Sequence, residues 1–308
     1  MWRLGALLTL LAAGCAPLRE AAPRFSSGRL CAQRDEVPVA RPAASLRAVS
    51  VQRLAAAGFP RPAIEVAEAI EATDALLRLV DLERTPRGET ALLAARLRVS
   101  EIIMLSMLDL ASTLAEIDCE GERGDQLQNR LQAAQDRLAR RLGVAGILVG
   151  AGTAAATGGL SLAGAATAGS IAGIVGGAAE AGVGAALLMG SADATLRTPR
   201  NLLREVWEQP ATPRLLPPSV WRYLTLSDGT APRRLDLLLS EWRGPDILGE
   251  PGSQTERERA PLLLGEGGVY DVSLLGVRGS MFDLLEASVG LMHQDLRLLL
   301  GVLARRPG

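Results

Sequence analysis

Residues 89–142 read ETALLAARLRVSEIIMLSMLDLASTLAEIDCEGERGDQLQNRLQAAQDRLARRL, with no proline to interrupt them. At 1.5 Å per residue a continuous helix over this stretch reaches about 80 Å. Leu110, Leu114 and Ile117, and beyond a polar patch Leu131, Leu138 and Leu142, keep the three-and-four spacing of one helical face. That spacing predicts an antiparallel or coiled-coil seam, and with it an all-α fold. The polar patch, Asp118-Cys119-Glu120-Gly121-Glu122-Arg123-Gly124-Asp125, contains two glycines, each costing about 1 kcal/mol inside a helix. It predicts a kink or a short connection. Its carboxylates invite a metal or acid–base reading, but no histidine joins them, and a solvated helix face or turn is the simpler account.

Upstream, residues 45–57 form a short helix that ends at Gly58, where Phe59-Pro60-Arg61-Pro62 blocks its continuation. Residues 63–83 place Ile64, Ala67, Ile70, Leu77 and Val80 at helical spacing with Glu65, Glu68 and Glu71 on another face, which predicts one amphipathic helix. Thr85-Pro86-Arg87-Gly88 turns the chain. Residues 45–142 therefore form one amphipathic helical region.

Downstream, residues 143–190 hold 14 Gly and 15 Ala in 48 positions, with a single charge at Glu180. Small residues recur every four: Gly146, Gly150, Ala154, Gly158; then Gly169, Gly173, Gly177; then Gly182, Ala186, Gly190. On a helix this leaves a smooth groove that lets a second helix approach closely. The pattern resembles glycine zippers and the small-residue hairpins of membrane-active proteins. Thr157-Gly158-Gly159-Leu160-Ser161 is the expected hairpin tip, because paired glycines and a following serine break and restart a helix. The segment begins after Arg140-Arg141 and is long enough for two membrane spans. Against insertion, Ala and Gly carry little transfer free energy and Glu180 sits in the second arm. A buried or oligomeric hairpin and a membrane-inserting one both remain open. Residues 147–155, ILVGAGTAA, match a dinucleotide-binding fingerprint only superficially, since no strand follows and Glu180 lies too far on.

Composition narrows the chemistry. The chain has 308 residues, 48% hydrophobic but only 3% aromatic, which points to closely approaching helices rather than strand-rich sandwiches. All 33 basic residues are arginine, which removes Schiff-base and P-loop lysines. The single histidine, His293, excludes multi-histidine metal centres, and a net charge of −1 advertises no nucleic-acid partner. No cofactor, metal site or catalytic group is expected.

Residues 1–14 have the grammar of a signal peptide: Arg3, an uncharged run over residues 4–13, then small residues before Cys15. The run is too short to span a bilayer as a helix. Leu11-Ala12-Ala13-Gly14-Cys15 resembles the lipobox of bacterial lipoproteins. The resemblance implies cleavage before Cys15, acylation of its thiol and stable attachment to membrane lipid. With Ala16 rather than aspartate after the cysteine, it also implies an outer-membrane protein facing the periplasm. Residues 15–44, with Pro17, Pro23, Pro38 and Pro42, are then a flexible tether. Cys31 and Cys119 remain as an even pair in an oxidising compartment, where they form either a disulfide or two separate thiols.

Residues 191–308 form a C-terminal helical subdomain. Residues 192–208 predict a helix kinked or restarted at Pro199; residues 219–226 and 232–242 predict short ones; residues 244–268 read as loop; residues 272–275 and 280–304 predict the last helices. Trp207, Trp221 and Trp242 read as packing anchors. His293 with Asp295 and Ser280 or Ser288 could form a hydrolytic group, but no G-x-S-x-G elbow exists and Asp295 falls on another helix face. A plain surface or core histidine is the simpler account. The sequence thus implies a lipid-anchored envelope protein, not an enzyme, that works by helix packing with copies of itself or with helical envelope partners. A pore, toxin or export component using residues 143–190 is the alternative.

Overall fold

The computed structural model describes residues 24–26, 31, 47–84, 88–189, 192–227, 229 and 231–306. Cys15 and the lipobox lie outside the described residues, as does most of the stretch over residues 15–44.

The fold is all-α: 76% helical with ten helices among the described residues. In chain order they are α1 Ala48–Ala56, α2 Arg61–Ala69, α3 Thr73–Glu83, α4 Glu89–Leu162, α5 Ala166–Met189, α6 Leu202–Glu208, α7 Pro218–Thr225, α8 Arg234–Trp242, α9 Gln254–Leu263 and α10 Val272–Ala304. Three short strands, β1 Arg24–Ser26, β2 Ala194–Arg197 and β3 Gly267–Tyr270, form one sheet in that order, β1 parallel and β3 antiparallel to β2.

Helix α4 is the axis. Its 74 residues extend about 110 Å. Between residues 99 and 131 it buries Val99, Ile103, Leu110, Ile117, Leu127 and Leu131 at helical spacing. Against it runs α10, antiparallel, burying Leu275, Phe282, Leu285, Val289, Met292, Leu296 and Leu299. The polar patch of α4 is neither kink nor connection. A Cβ at Gly121 would sit 3.9 Å from Phe282 Cβ, and one at Gly124 would lie 3.4 Å from Arg278 Nη1. These glycines stay helical because they let the two helices close together. Across the same contact, a Cβ at Gly276 would lie 3.4 Å from Gln128 Nε2 and one at Gly279 3.5 Å from Asp125 Oδ1. That contact lets the expected helices at 272–275 and 280–304 join as α10.

Other expectations are corrected by contacts distant in sequence. Residues 63–83 form α2 and α3 rather than one helix, with Glu71 at φ 59° between them. Buried Arg222 donates from Nε to the Ala69 carbonyl at 2.7 Å and from Nη1 to Glu71 Oε1 at 2.9 Å, so a cation 153 residues away satisfies the broken helix end. Residues 192–208 are not a single helix: β2 comes first, and α6 starts where Asn201 Oδ1 accepts from the amides of Leu203 and Arg204. The same buried Asn201 donates from Nδ2 to the carbonyls of Leu263 and Gly265 at 2.9 Å, pinning this corner to the end of α9. The expected loop over residues 244–268 contains α9, capped by Ser253, and the start of β3. Gly267 has φ 88°, and a Cβ there would overlap the Leu196 carbonyl oxygen, so β3 can join β2 only through glycine at this point.

Candidate functional site

The second half of α4 passes through the expected boundary at residue 142 without a break and pairs with α5 as an antiparallel hairpin. The tip is not at residues 157–161. The hydroxyls of Thr153, Thr157 and Ser161 donate to the carbonyls four residues back at 2.8, 2.7 and 2.8 Å, and the paired glycines Gly158 and Gly159 stay within the helix. The chain reverses instead at Ala163-Gly164, with Gly164 at φ 81°.

The seam of the hairpin pairs hydroxyl residues on α4 with glycines on α5. A Cβ at Gly169 would lie 3.1 Å from Ser161 Oγ and 3.3 Å from the Thr157 carbonyl oxygen. At Gly173 it would meet Thr157 Oγ1 at 3.9 Å, and at Gly176 it would overlap the side chain of Thr153. Facing the other way, a Cβ at Gly150 would lie 2.5 Å from Glu180 Oε1. Of the five glycines expected to pack, Gly150, Gly169 and Gly173 face the opposite arm. A Cβ at Gly177 has open space, and Gly146 is half-buried. A strict four-residue spacing passes over Gly176 and selects Gly177 instead. The seam on α5 runs 169, 173, 176, 180, the alternating spacing of a real helix face.

The outer surface of this arm is apolar and uncovered. Val144, Ile147 (72% exposed), Leu148, Ile171, Ile174 (73%) and Val175 are solvent-facing, and Leu162 at the tip is 93% exposed. Arg137, Arg140 and Arg141 are exposed at its base. Among the described residues no helix is long and apolar enough to cross a membrane.

The remaining candidates belong to the body. Cys31 and Cys119 form a disulfide, with Cα atoms 5.5 Å apart. Together with the pairing of β1 to β2, it fastens the N-terminal stretch to the body at two points. In the acidic patch on α4, Asp118, Glu122 and Asp125 are exposed and Glu120 is committed to an ion pair. Glu120 is buried and accepts from Arg278 Nη2 at 3.0 Å, and Arg278 Nη1 donates to the Glu120 carbonyl. Burial pushes the Glu120 carboxyl up and the Arg278 guanidinium down, while each partner favours the other's charged form. One turn earlier, Glu116 takes two hydrogen bonds from Arg200, at 2.8 and 3.2 Å. Burial also raises Asp125, with Asp283 and Glu122 adding to the shift. No group of three or more His, Cys, Asp or Glu that could hold a metal ion occurs among the described residues.

His293 is exposed, and its expected partners are committed elsewhere. Asp295 Oδ2 accepts from Tyr223 Oη at 2.7 Å and Arg234 Nη2 at 3.3 Å. Ser280 and Ser288 donate to carbonyls of their own helix. Trp221 and Trp242 are buried, and the Arg243 guanidinium lies 5.0 Å from the centre of the Trp207 ring. No protein-family model, curated protein or solved structure matches the chain.

Proposed function

We propose that the chain is a lipid-anchored cell-envelope protein, held to the outer membrane through acylated Cys15, that assembles by helix packing on its Gly/Ala-rich arm. The observation that carries this reading is the uncovered apolar outer surface of α5 and the second half of α4. A two-helix hairpin has no core of its own, and its Gly/Thr seam buries little apolar area, so the outer Ile, Leu and Val side chains call for a partner. Ala and Gly supply little transfer free energy into lipid, and Glu180 adds a charge, so helices of other copies or of an envelope protein suit the surface better than acyl chains.

A second reading, insertion of the hairpin, is favoured by one observation. Residues 142–162 extend about 32 Å at 1.5 Å per residue, close to the roughly 30 Å hydrocarbon core of a bilayer. Arg137, Arg140 and Arg141 stand at the base, where anionic headgroups would meet them.

Depth-sensitive labelling at Leu162, in membranes carrying the acylated protein, separates the two. Packing predicts a tip that lipid-phase quenchers do not reach; quenching from within the hydrocarbon would replace packing with insertion. Fractionation of the Cys15→Ser variant tests the anchor, because a variant still found with the membrane would remove the lipid attachment from the account.

A further inference from the structure

The start of α4 carries a second uncovered apolar face, separate from the arm. Leu93, Leu97, Met104 and Leu108 are 59%, 59%, 61% and 62% exposed. They lie on the side of the helix away from buried Ala95, Val99, Ile103, Ser106 and Leu110. Leu105, 62% exposed, and Met107 widen the face on either flank. The four central residues are spaced four, seven, four along the chain, which reads identically in both directions. The centre of that pattern falls between Ser100 and Glu101. A helix carrying such a face matches a second copy of itself turned end for end: Leu93 opposite Leu108 of the partner, Leu97 opposite Met104.

We propose that this face is a two-fold interface with a second copy of the chain, formed by two antiparallel α4 helices. The charges fit that direction. Arg98 and Glu101 flank the centre and pair within one chain at 3.2 Å, with both side chains mostly exposed. Antiparallel packing brings Arg98 of one copy beside Glu101 of the other, so the pairs can be exchanged across the axis. Parallel packing would carry the two copies of each residue to opposite flanks of the seam, so this exchange would be lost. Twelve exposed side chains, six from each copy and each offering on the order of 100 Å², present about 1,200 Å², the lower end of the range for specific interfaces. A two-fold contact of this kind is isologous and closed, so it gives a dimer rather than a filament.

The test uses the full chain carrying Cys15→Ser, so that lipid does not hold copies together. In sedimentation equilibrium this chain is expected to dimerise, and adding Leu97→Glu with Met104→Glu is expected to weaken the α4 contact at least a hundredfold while helical circular dichroism and melting stay unchanged. Direction is read by cross-linking. Chains with Leu97→Cys mixed with chains bearing Met104→Cys are expected to join at least tenfold more than Leu97→Cys chains alone. Self-joining of Leu97→Cys at the rate of the mixture would mean parallel packing and would overturn the proposal. So would a chain that stays monomeric throughout, or one whose Leu97→Cys thiol is shielded from maleimide while monomeric, which would assign the face to the chain's own residues 32–46. Association that survives both glutamates and gives no cross-link between positions 97 and 104 would belong to the arm and would equally overturn it.

Discussion

Gly176 and Gly177 are neighbours in α5, yet alanine at the two positions should act with opposite sign. Alanine gains about 1 kcal/mol over glycine in a helix interior. At Gly177 the new Cβ has nothing within 4 Å, so the gain is kept and the arm becomes about 1 kcal/mol more stable. At Gly176 the new Cβ would overlap Oγ1 and Cγ2 of Thr153 and come within 2.7 Å of Thr153 Cβ. Rotating the threonine side chain cannot move its Cβ, so the arms must separate. Overpacking of this kind costs about 1–3 kcal/mol, which cancels or exceeds the propensity gain. The two variants should therefore differ by about 2 kcal/mol, roughly a 30-fold difference in opening equilibrium. Native-state hydrogen exchange over residues 150–180 reads this directly, since the arm can open without the body. Thr153→Ala removes two of the three clashing atoms and should restore part of the protection in Gly176→Ala. Equal protection in the two single variants would mean that α4 and α5 do not pack in the register described, and the seam argument would fall.

Other expected outcomes concern the body. Arg278→Met leaves Glu120 buried without its cation and should cost about 3–5 kcal/mol in urea unfolding, most of it recovered by adding Glu120→Leu; a single variant within 1 kcal/mol of the parent would show that the pair is not buried. Cys119→Ser opens a disulfide spanning 88 residues and should lower stability by about 4.6 kcal/mol on the chain-entropy account, with reductant giving the same loss to the parent and none to the variant. Burial pushes the Asp295 carboxyl above the usual range, opposed by its hydrogen bond from Tyr223 and by Arg234, while Glu65 adds to the rise. The folded state then holds a proton at pH values where the unfolded chain has lost it, so this group's contribution falls as pH rises from the ordinary aspartate range to the raised value. Asp295→Asn should flatten that fall in urea midpoints measured from mildly acidic to neutral pH; parallel curves would contradict the assignment.

The helices could be read in the sequence wherever one apolar face repeats without interruption. The leucine face over residues 89–142 marks the course of α4, although the patch at 118–125 reads as a kink or connection and the helix runs on to Leu162, and the run from Leu284 to Leu303 marks most of α10, because burial of one face imposes its period directly on residue type. What could not be read depends on partners far along the chain. The break after Ala69 is held by Arg222, and β2 exists because β3 lies beside it, so neither leaves a local mark. Gly121, Gly124, Gly276 and Gly279 look like helix breakers singly and become intelligible only as four sides of one close crossing. Glu120 reads as a solvated carboxylate until Arg278, 158 residues away, is placed on it. In the arm the glycine content announced close packing, while the choice between Gly176 and Gly177 turned on a rotation of 100° that composition does not carry.

The most direct test of the account is a photo-crosslinker replacing Ile174, on the uncovered face of α5, activated in intact envelopes with the Cys15 anchor in place. Assembly through the arm predicts adducts at defined protein masses, either twice that of the chain or that of the chain plus one envelope partner. Those adducts should disappear when Gly176→Ala forces the arms apart. Adducts to lipid alone, or products of reaction with water at the level of an exposed surface residue, would contradict the claim that this arm is a helix-packing element.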